Sequence, residues 1–348
     1  MKKVFAFFIA VTMMACSLCA CGSGDKGDLS GDDRIRIVTT IFPEYDWVMN
    51  VLGENPADMD VTMLLDSGVD LHSYQPTTED ILKISDCDLF IYVGGESDEW
   101  MEDALAEAAN KDMAVINLLD VLGDAAKEEE VVEGMQEDEH HHDHEESDDE
   151  DEDEDEHEHE DEHEHEHEEV EYDEHVWLSL QNAGVFVRSI ADSLKSIDSE
   201  NAGIYESNAS AYIEKINALD GEYKTAVQNA SFHTLLFGDR FPFRYLADDY
   251  GLDYYAAFVG CSAETEASFE TITFLSQKVD ELGLPAVMII EGSDGKIAET
   301  VIQNTQTKDM QTLTMDSMQS TTSKDVANGT TYLSVMESNL SVLKDALK

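Results

Sequence analysis

Short β-branched runs alternate with longer amphipathic segments along the chain, and this alternation limits the possible folds more than any other feature. The apolar runs form two blocks of four, at residues 34–40, 58–65, 88–94 and 113–119, and then at 233–238, 253–259, 286–292 and 310–315. Helical patterns separate the runs within each block. Because strands that alternate with helices form parallel sheets, the sequence predicts an α/β protein with two parallel-sheet lobes.

A stretch without strand signals separates the two blocks. Between residues 182 and 230, apolar residues recur at three- and four-residue spacing, which is typical of helices. We expect a long rigid helix over 199–230, joining an N-terminal lobe (34–198) to a C-terminal lobe (231–348). The cleft between two such lobes is a natural place for a ligand.

The N-terminus has the pattern of a bacterial export signal. A short basic start precedes an apolar run that is too short for a membrane-spanning helix and ends in Leu-Cys-Ala before Cys21. This ending resembles the lipoprotein cleavage box, although a plain secretory peptide is the alternative. We expect residues 1–20 to be removed and Cys21 to be lipidated. Residues 21–33 then form a tether on the extracytoplasmic face of the cell membrane.

Acidic residues dominate the composition. The chain has 78 Asp and Glu residues against 20 Lys and Arg, a formal net charge of −58. Nucleic-acid binding is excluded because phosphate recognition requires basic patches. The segment 126–169 is the most acidic and contains almost no apolar residues. We therefore expect it to be a disordered surface loop within the N-terminal lobe.

This acidic segment also carries nine of the chain's twelve histidines. They are His140, His141, His142, His144, His157, His159, His163, His165 and His167. Two HExxH matches occur among them, but a zincin requires that motif on a packed helix. The alternation of imidazole and carboxylate instead predicts auxiliary, weak sites for zinc. A solvated acidic spacer without metal is the alternative.

Polar side chains follow the carboxyl ends of several predicted strands, which is where α/β proteins bind ligands. His72 follows the second apolar run, and His175 follows the fourth run and the acidic segment. Asp239 and Asp316 occupy corresponding positions in the second block. Together they could form a metal site, although each could instead be a structural or helix-capping residue. His233 precedes its strand, at the wrong end for this site, and is interpreted as structural.

Two cysteines lie within the part that is expected to fold, Cys87 and Cys261. They fall in different predicted lobes and outside any CxxC spacing, so neither a disulfide between them nor a cysteine zinc motif is expected. We expect both to be buried free thiols.

From about residue 35 onward, the chain resembles the metal-binding solute-binding lipoproteins of ABC importers for zinc and manganese. The resemblance rests on "SGVDLHSYQPTTEDILKISDCDLFIYVGGESDEWM", "DEHVWLSLQNA", "SENAGIYESNASAYIEKINALD" and "LADDYGL", in this order around a His-rich insert. It implies two α/β lobes joined by a rigid helix, with one metal ion in the cleft between them. It also implies His72, His175 and Asp316 as ligands, and a His-rich loop typical of the zinc-selective branch.

The chain departs from the family pattern near the expected ligands. Proline is usual at three flanking positions that are here Leu71, Glu174 and Leu180. Alignment on "LADDYGL" without a gap places Arg240 where the family has His or Glu, and a guanidinium cannot bind a cation. A shift by one residue makes Asp239 the third ligand. Glu264, Glu266 or water are the alternatives.

The sequence-level hypothesis is a monomeric, non-enzymatic protein that captures Zn²⁺ outside the cell and delivers it to an ABC permease. Oxygen ligands would favour manganese or iron(II), whereas the imidazoles and the His-rich segment favour zinc. A surface adhesin or zinc buffer of the same fold is an alternative. A metallohydrolase is a further one, but it requires a general base for which we find no candidate.

Overall fold

The computed structural model describes residues 34–54, 59–136, 171–262 and 264–348. The predictions for the signal peptide, Cys21, the tether and the nine clustered histidines concern residues outside these ranges. Within the described part of the chain, no helix is long and apolar enough to cross a membrane.

The first lobe is built on a four-stranded parallel sheet with the strand order β2-β1-β3-β4. Its strands are β1 (Ile35–Thr39), β2 (Met59–Met63), β3 (Leu89–Tyr92) and β4 (Ala114–Asn117). The helices that connect and follow them are α1 (Phe42–Leu52), α2 (Thr78–Asp86), α3 (Trp100–Ala106) and α4 (Leu118–Leu122). Local sequence sets several helix starts: Pro43 lies in the first turn of α1, and Thr77 forms a capping box with Asp80 at α2.

Two long helices follow the first sheet, α5 (Leu180–Ile197) and α6 (Ala202–Gln228). The 27 residues of α6 correspond to about 40 Å of helix. This helix contacts both lobes, because its Tyr212 hydroxyl donates to Asp46 in α1 at 2.8 Å and its Tyr223 hydroxyl donates to the backbone of Met336 at 2.6 Å. It therefore connects the two lobes, and it lies within the range 199–230 that the sequence predicted to be helical.

The second lobe repeats the topology of the first, with the strand order β6-β5-β7-β8 and all strands parallel. Its strands are β5 (Thr234–Phe241), β6 (Asp253–Val259), β7 (Ala286–Ile290) and β8 (Gln311–Met315). Its helices are α7 (Arg244–Tyr250), α8 (Phe269–Leu282), α9 (Lys296–Asn304), α10 (Ser323–Ala327) and α11 (Tyr332–Ala346). Each strand overlaps a predicted apolar run, so the predicted fold class of two parallel-sheet lobes is confirmed.

A continuous apolar core joins the two lobes beneath the cleft. Trp47 of α1 packs edge-on against Tyr332 of α11, with ring centroids 5.3 Å apart. The indole of Trp177 donates to the Ser317 carbonyl oxygen at 2.8 Å, and the Tyr332 hydroxyl donates to the Trp177 carbonyl oxygen at 2.8 Å. These buried contacts fix the position of the first lobe's site loops against the end of β8.

The beginning of the acidic segment is held against the folded body. Glu129 donates its N–H to the Glu171 carbonyl oxygen, and Asp173 donates to that of Lys127, both at 2.8 Å. Gln136 donates its N–H to a β6 carbonyl oxygen at 2.9 Å. Residues up to 136 are therefore ordered, whereas a disordered loop was expected over 126–169. The reason is that backbone pairing does not require the apolar residues that this segment lacks.

Candidate metal centre

The site lies where the carboxyl ends of the two parallel sheets face each other. In each sheet the second and third strands lie on opposite sides of the first, since β1 lies between β2 and β3 and β5 lies between β6 and β7. Such a point opens a crevice at the carboxyl edge of a sheet. The segments after β2, β3, β4, β6 and β8 supply the side chains that meet there.

His72 and His175 point their Nε2 atoms at the same position. The two nitrogens lie 3.2 Å apart, although 103 residues separate them in the sequence. His72 belongs to a short 3₁₀ turn, Leu71–Ser73, whose start is capped by Asp70. The side chain of His175 is fully buried, and that of His72 is 8% exposed. The structure thus brings together the two histidines that the sequence singled out.

The opposite nitrogen of each ring faces a carboxylate. His175 Nδ1 lies 3.0 Å from Asp173 Oδ1, and His72 Nδ1 lies 3.2 Å from Glu174 Oε2 and 2.8 Å from Ser97 Oγ. A carboxylate only accepts hydrogen bonds, so it favours a proton on Nδ1 and leaves the lone pair on Nε2. Carboxylate–imidazole pairs of this kind orient the histidines of metal sites.

Glycine at position 95 makes room for the Glu174 carboxylate. A side chain there would collide with Glu174 Oε1, and the backbone has a φ of +85° that favours glycine. Asp173 and Glu174 are each 2% exposed. Burying two carboxylates is costly, and a divalent cation between the rings would offset that cost.

The protonation states of His175 and Glu174 also favour a cation at this position. Burial lowers the pKa of His175, against the opposing effect of Asp173, so this ring is neutral at neutral pH and its Nε2 can bind metal. Burial raises the pKa of Glu174, but its contacts with His72 and Ser97 outweigh that effect and lower it overall. Glu174 is therefore an anion beside the two rings.

The side-chain amide of Gln319 faces both Nε2 atoms. Its nitrogen lies 2.5 Å from Nε2 of His175 and 3.3 Å from Nε2 of His72. Amide N–H groups can donate to both imidazole lone pairs, which satisfies them without a metal ion. A bound cation takes over these lone pairs, so Gln319 must then move or turn its amide oxygen toward the ion.

Arg240 lies beside this group and makes an ion pair across the cleft. Its Nη2 lies 2.7 Å from Asp70 Oδ2 and 3.4 Å from Gln319 Oε1. Burial works to raise the pKa of Asp70, but the Arg240 charge and His72 lower it overall. A cationic side chain therefore occupies the region where the family resemblance implies a third ligand.

Asp239 lies within β5 rather than after it. Between Phe237 and Arg240 the pairing of β5 with β6 shifts by one residue, which is the geometry of a β-bulge. The Asp239 carboxylate accepts from the N–H of Arg240 at 2.9 Å and from that of Ile290 at 3.4 Å. It lines an acidic cavity of about 540 Å³ next to the histidines. Its role as a ligand stays a prediction.

Asp316 follows β8, as expected, and lies near a second carboxylate. It accepts from the N–H of Met318 at 2.8 Å, and Glu291 accepts from both the N–H and the hydroxyl of Ser317 at 2.7 and 2.6 Å. Burial and then the Asp316 charge raise the pKa of Glu291 to about 7. Neither Asp316 nor Asp239 joins the metal-ligand group formed by the described residues, so ligation by Asp316 also stays a prediction.

The third member of that group is Cys261. Its sulfur, one ring nitrogen of His72 and one ring nitrogen of His175 lie within 4.8 Å of one another. Burial, followed by the charges of Asp173 and Glu174, raises the pKa of the Cys261 thiol well above its ordinary value. The thiol is therefore protonated when no cation is bound.

The remaining sequence candidates lie elsewhere. Glu264 and Glu266 are exposed, and Glu264 lines the acidic cavity. His233 is exposed at the amino end of β5, where its carbonyl oxygen accepts from Asp253. Cys87 is buried in the first lobe, 3.2 Å from the Met113 sulfur.

A comparison with protein families finds a match over most of the chain. The model of the family described as "ZnuA: Zinc-uptake complex component A periplasmic" matches residues 37–346. The chain belongs to this family.

Curated members of the ZnuA family are similar over most of this chain. The zinc-binding protein AdcA of Streptococcus pyogenes serotype M6 is 30% identical over 325 residues, covering 90% of this chain but 56% of AdcA. The chain thus spans little more than half of the AdcA proteins. The high-affinity zinc uptake system protein ZnuA of Bacillus subtilis is 30% identical over 350 residues, covering 99% of this chain and 98% of that protein.

A solved structure supports the fold. The Zn(II)-bound ZnuA-like domain of Streptococcus pneumoniae AdcA superimposes with a TM-score of 0.66 at 26% identity, covering 90% of this chain and 99% of that domain.

Sequence reasoning missed four residues of the site: Asp173, Glu174, Cys261 and Gln319. Only the first two had a visible signal, since two acids directly precede His175 in "DEHVW". Glu174 was noted only as a replacement for proline. Nothing in the local sequence of Cys261 or Gln319 indicates that they face histidines of the other lobe.

Proposed function

We propose that this protein is the zinc-binding component of an ABC uptake system, which captures Zn²⁺ outside the cytoplasm and delivers it to a membrane permease. Membership of the ZnuA family supports this function, as do the names of its relatives. The protein binds and releases its cargo without catalysis. Lipidation at Cys21 anchors it at the extracytoplasmic face of the membrane, as the lipoprotein-like N-terminus suggests.

The observation that carries the proposal is the convergence of His72 and His175. Two nitrogens bound to one tetrahedral zinc at ~2.05 Å lie ~3.3 Å apart, and the two Nε2 atoms lie 3.2 Å apart. A buried carboxylate faces Nδ1 of each ring. The rings therefore need little reorganisation to bind zinc, which favours tight binding.

Calorimetric zinc titration tests this function. We expect one tight site in a chain whose residues 137–170 are replaced by a Gly/Ser linker. His72→Ala and His175→Ala each weaken that site by at least about tenfold, because each removes a ligand. His233→Ala is the matched control, since His233 is exposed at the opposite end of β5. Unchanged tight binding in both ligand variants would contradict the proposal.

A further inference from the structure

Three side chains of different elements meet at the candidate zinc site, and one of them is a cysteine. His72, His175 and Cys261 are the potential ligands that the described residues bring within 4.8 Å of one another. The carboxylates of Asp239 and Asp316 accept hydrogen bonds from nearby backbone N–H groups instead. The donor set at the converging imidazoles is thus two nitrogens and one sulfur.

The backbone of the second lobe holds the cysteine at this position. Cys261 directly follows Gly260 at the carboxyl end of β6. A side chain at Gly260 would lie 2.9 Å from Cε1 and 3.0 Å from Nδ1 of His175, so glycine allows the strand end to approach the imidazole. Cys261 also donates its N–H to Glu129 Oε1 at 3.3 Å. These main-chain contacts fix the point from which the thiol extends.

Arg240 occupies the place where the family resemblance implies a third ligand, so that ligand must come from elsewhere. Its guanidinium has no acceptor atom and cannot bind a cation. Its ion pair with Asp70 at 2.7 Å holds it in the cleft. Two imidazoles alone leave a tetrahedral zinc ion with two open positions.

We infer that Cys261 is the third protein ligand of the zinc ion, an assignment that rests on the proposed function. A sulfur at ~2.3 Å and a nitrogen at ~2.05 Å from one tetrahedral zinc lie ~3.6 Å apart. The sulfur already lies within 4.8 Å of a ring nitrogen of each histidine, so an approach of about 1 Å brings it to the distance that zinc ligation requires. The S–H bond breaks as the S–Zn bond forms, and the proton leaves to solvent. Water or the Gln319 amide oxygen fills the fourth position.

This donor set determines which metal the site prefers. Thiolate is a soft ligand that favours zinc, whereas manganese prefers oxygen ligands. Replacing Cys261 by Ala should therefore reduce the affinity for zinc more than that for manganese. The ratio of zinc affinity to manganese affinity should fall.

Cobalt substitution tests the assignment on the full chain. A cysteine thiolate bound to Co²⁺ gives an intense near-ultraviolet charge-transfer band that imidazole and carboxylate ligands do not give. The acidic segment contains no cysteine, so its histidines cannot produce this band. We expect the band in the wild type and in Cys87→Ala, the matched control, and its loss in Cys261→Ala. Zinc affinity falls at least about tenfold in Cys261→Ala and less in Cys261→Ser.

A second readout needs no variant. Zinc should protect Cys261 of the wild type from alkylation, as measured on the peptide that contains it, with no change at Cys87. Tight zinc binding without the cobalt band and without protection would overturn the cysteine assignment and leave the proposed function intact. Absence of any tight site, in the wild type as in the histidine variants, would overturn both.

Discussion

At the residue scale, Asp173 controls the orientation of His175. Its Oδ1 accepts from the backbone N–H of His175 at 2.9 Å and lies 3.0 Å from Nδ1 of the same residue. Asp173→Asn keeps the shape but removes the charge, so the ring loses basicity and a fixed tautomer. We expect zinc affinity to fall by about 10–100-fold, as measured by calorimetry. The exposed Asp124→Asn is the control, and equal affinities in the two variants would show that the contact is unimportant.

Arg240 places a positive charge next to the cation site. Arg240→Ala removes this charge and releases the Asp70 carboxylate, which is paired with it at 2.7 Å. We expect zinc affinity to rise severalfold, most strongly at low ionic strength, because Coulomb interactions of this size are screened by salt. A decrease would mean that Arg240 organises the site rather than opposing the ion.

Substitution of Asp239 tests the alternative third ligand that the sequence predicted. Its carboxylate accepts from two backbone N–H groups, and Asp239→Asn retains an oxygen for one of them. A loss of zinc affinity as large as that of His72→Ala would place Asp239 among the ligands. A small loss leaves the cysteine assignment as the explanation of the third position.

At the scale of elements, the strands and helices were largely predictable, but the bulge in β5 was not. Apolar runs indicate a strand wherever both faces of a parallel sheet are buried, and β5 was recognised by "HTLLFG". The strand continues to Phe241 because one extra residue is absorbed between Phe237 and Arg240. A bulge has no sequence pattern of its own, so the side-chain directions of Asp239 and Arg240 could not be assigned in advance.

The contact between α1 and α6 should make stability depend on pH. Burial raises the pKa of Asp46 from 3.8 to about 6, despite the hydrogen bond from Tyr212. Because the folded state binds this proton more tightly than the unfolded state, the contribution is present at low pH and is lost as pH rises through about 6. Between about pH 5 and 7, the loss is about 1 kcal/mol.

Urea unfolding of Asp46→Asn measures this effect. The variant lacks the titrating group. The difference in free energy of unfolding, variant minus wild type, should therefore increase by about 1 kcal/mol from about pH 5 to 7. Asp112→Asn, at an exposed position, should follow the wild type. Parallel curves for all three proteins would show that Asp46 titrates normally.

At the scale of the whole molecule, the zinc-binding capacity should divide between the cleft and the acidic segment. The nine histidines between His140 and His167 lie among carboxylates in a sequence with almost no apolar residues, which favours numerous weak sites that salt screens strongly. Replacing 137–170 by a Gly/Ser linker should reduce the number of bound zinc ions and slow capture at low metal, because the field that concentrates cations is weaker.

The tightest site should survive this replacement. Its ligands lie on the ends of β-strands and on loops fixed by the shared core. Loss of the tightest site together with the weak ones would mean that histidines of the segment complete the coordination of the ion.

The two lobes also explain why the site was only partly predictable. His72 and His175 follow strands of one lobe, and the rule that ligands bind at the carboxyl ends of parallel strands was enough to select them. Cys261 and Gln319 come from the other lobe, and their distance from the histidines depends on how the two sheets are held by α6 and the shared core. That relation is a property of tertiary packing, so the sequence indicated only a buried free thiol at Cys261.

The central claim is that one zinc ion is bound in the cleft between His72 and His175. A crystal structure of the zinc-loaded protein, with anomalous diffraction measured at the zinc absorption edge, tests it most directly. The account predicts one strong peak in the cleft, ~2.0–2.1 Å from Nε2 of both histidines. A peak at the carboxylates of Glu291 and Asp316, with none between the two imidazoles, would contradict it.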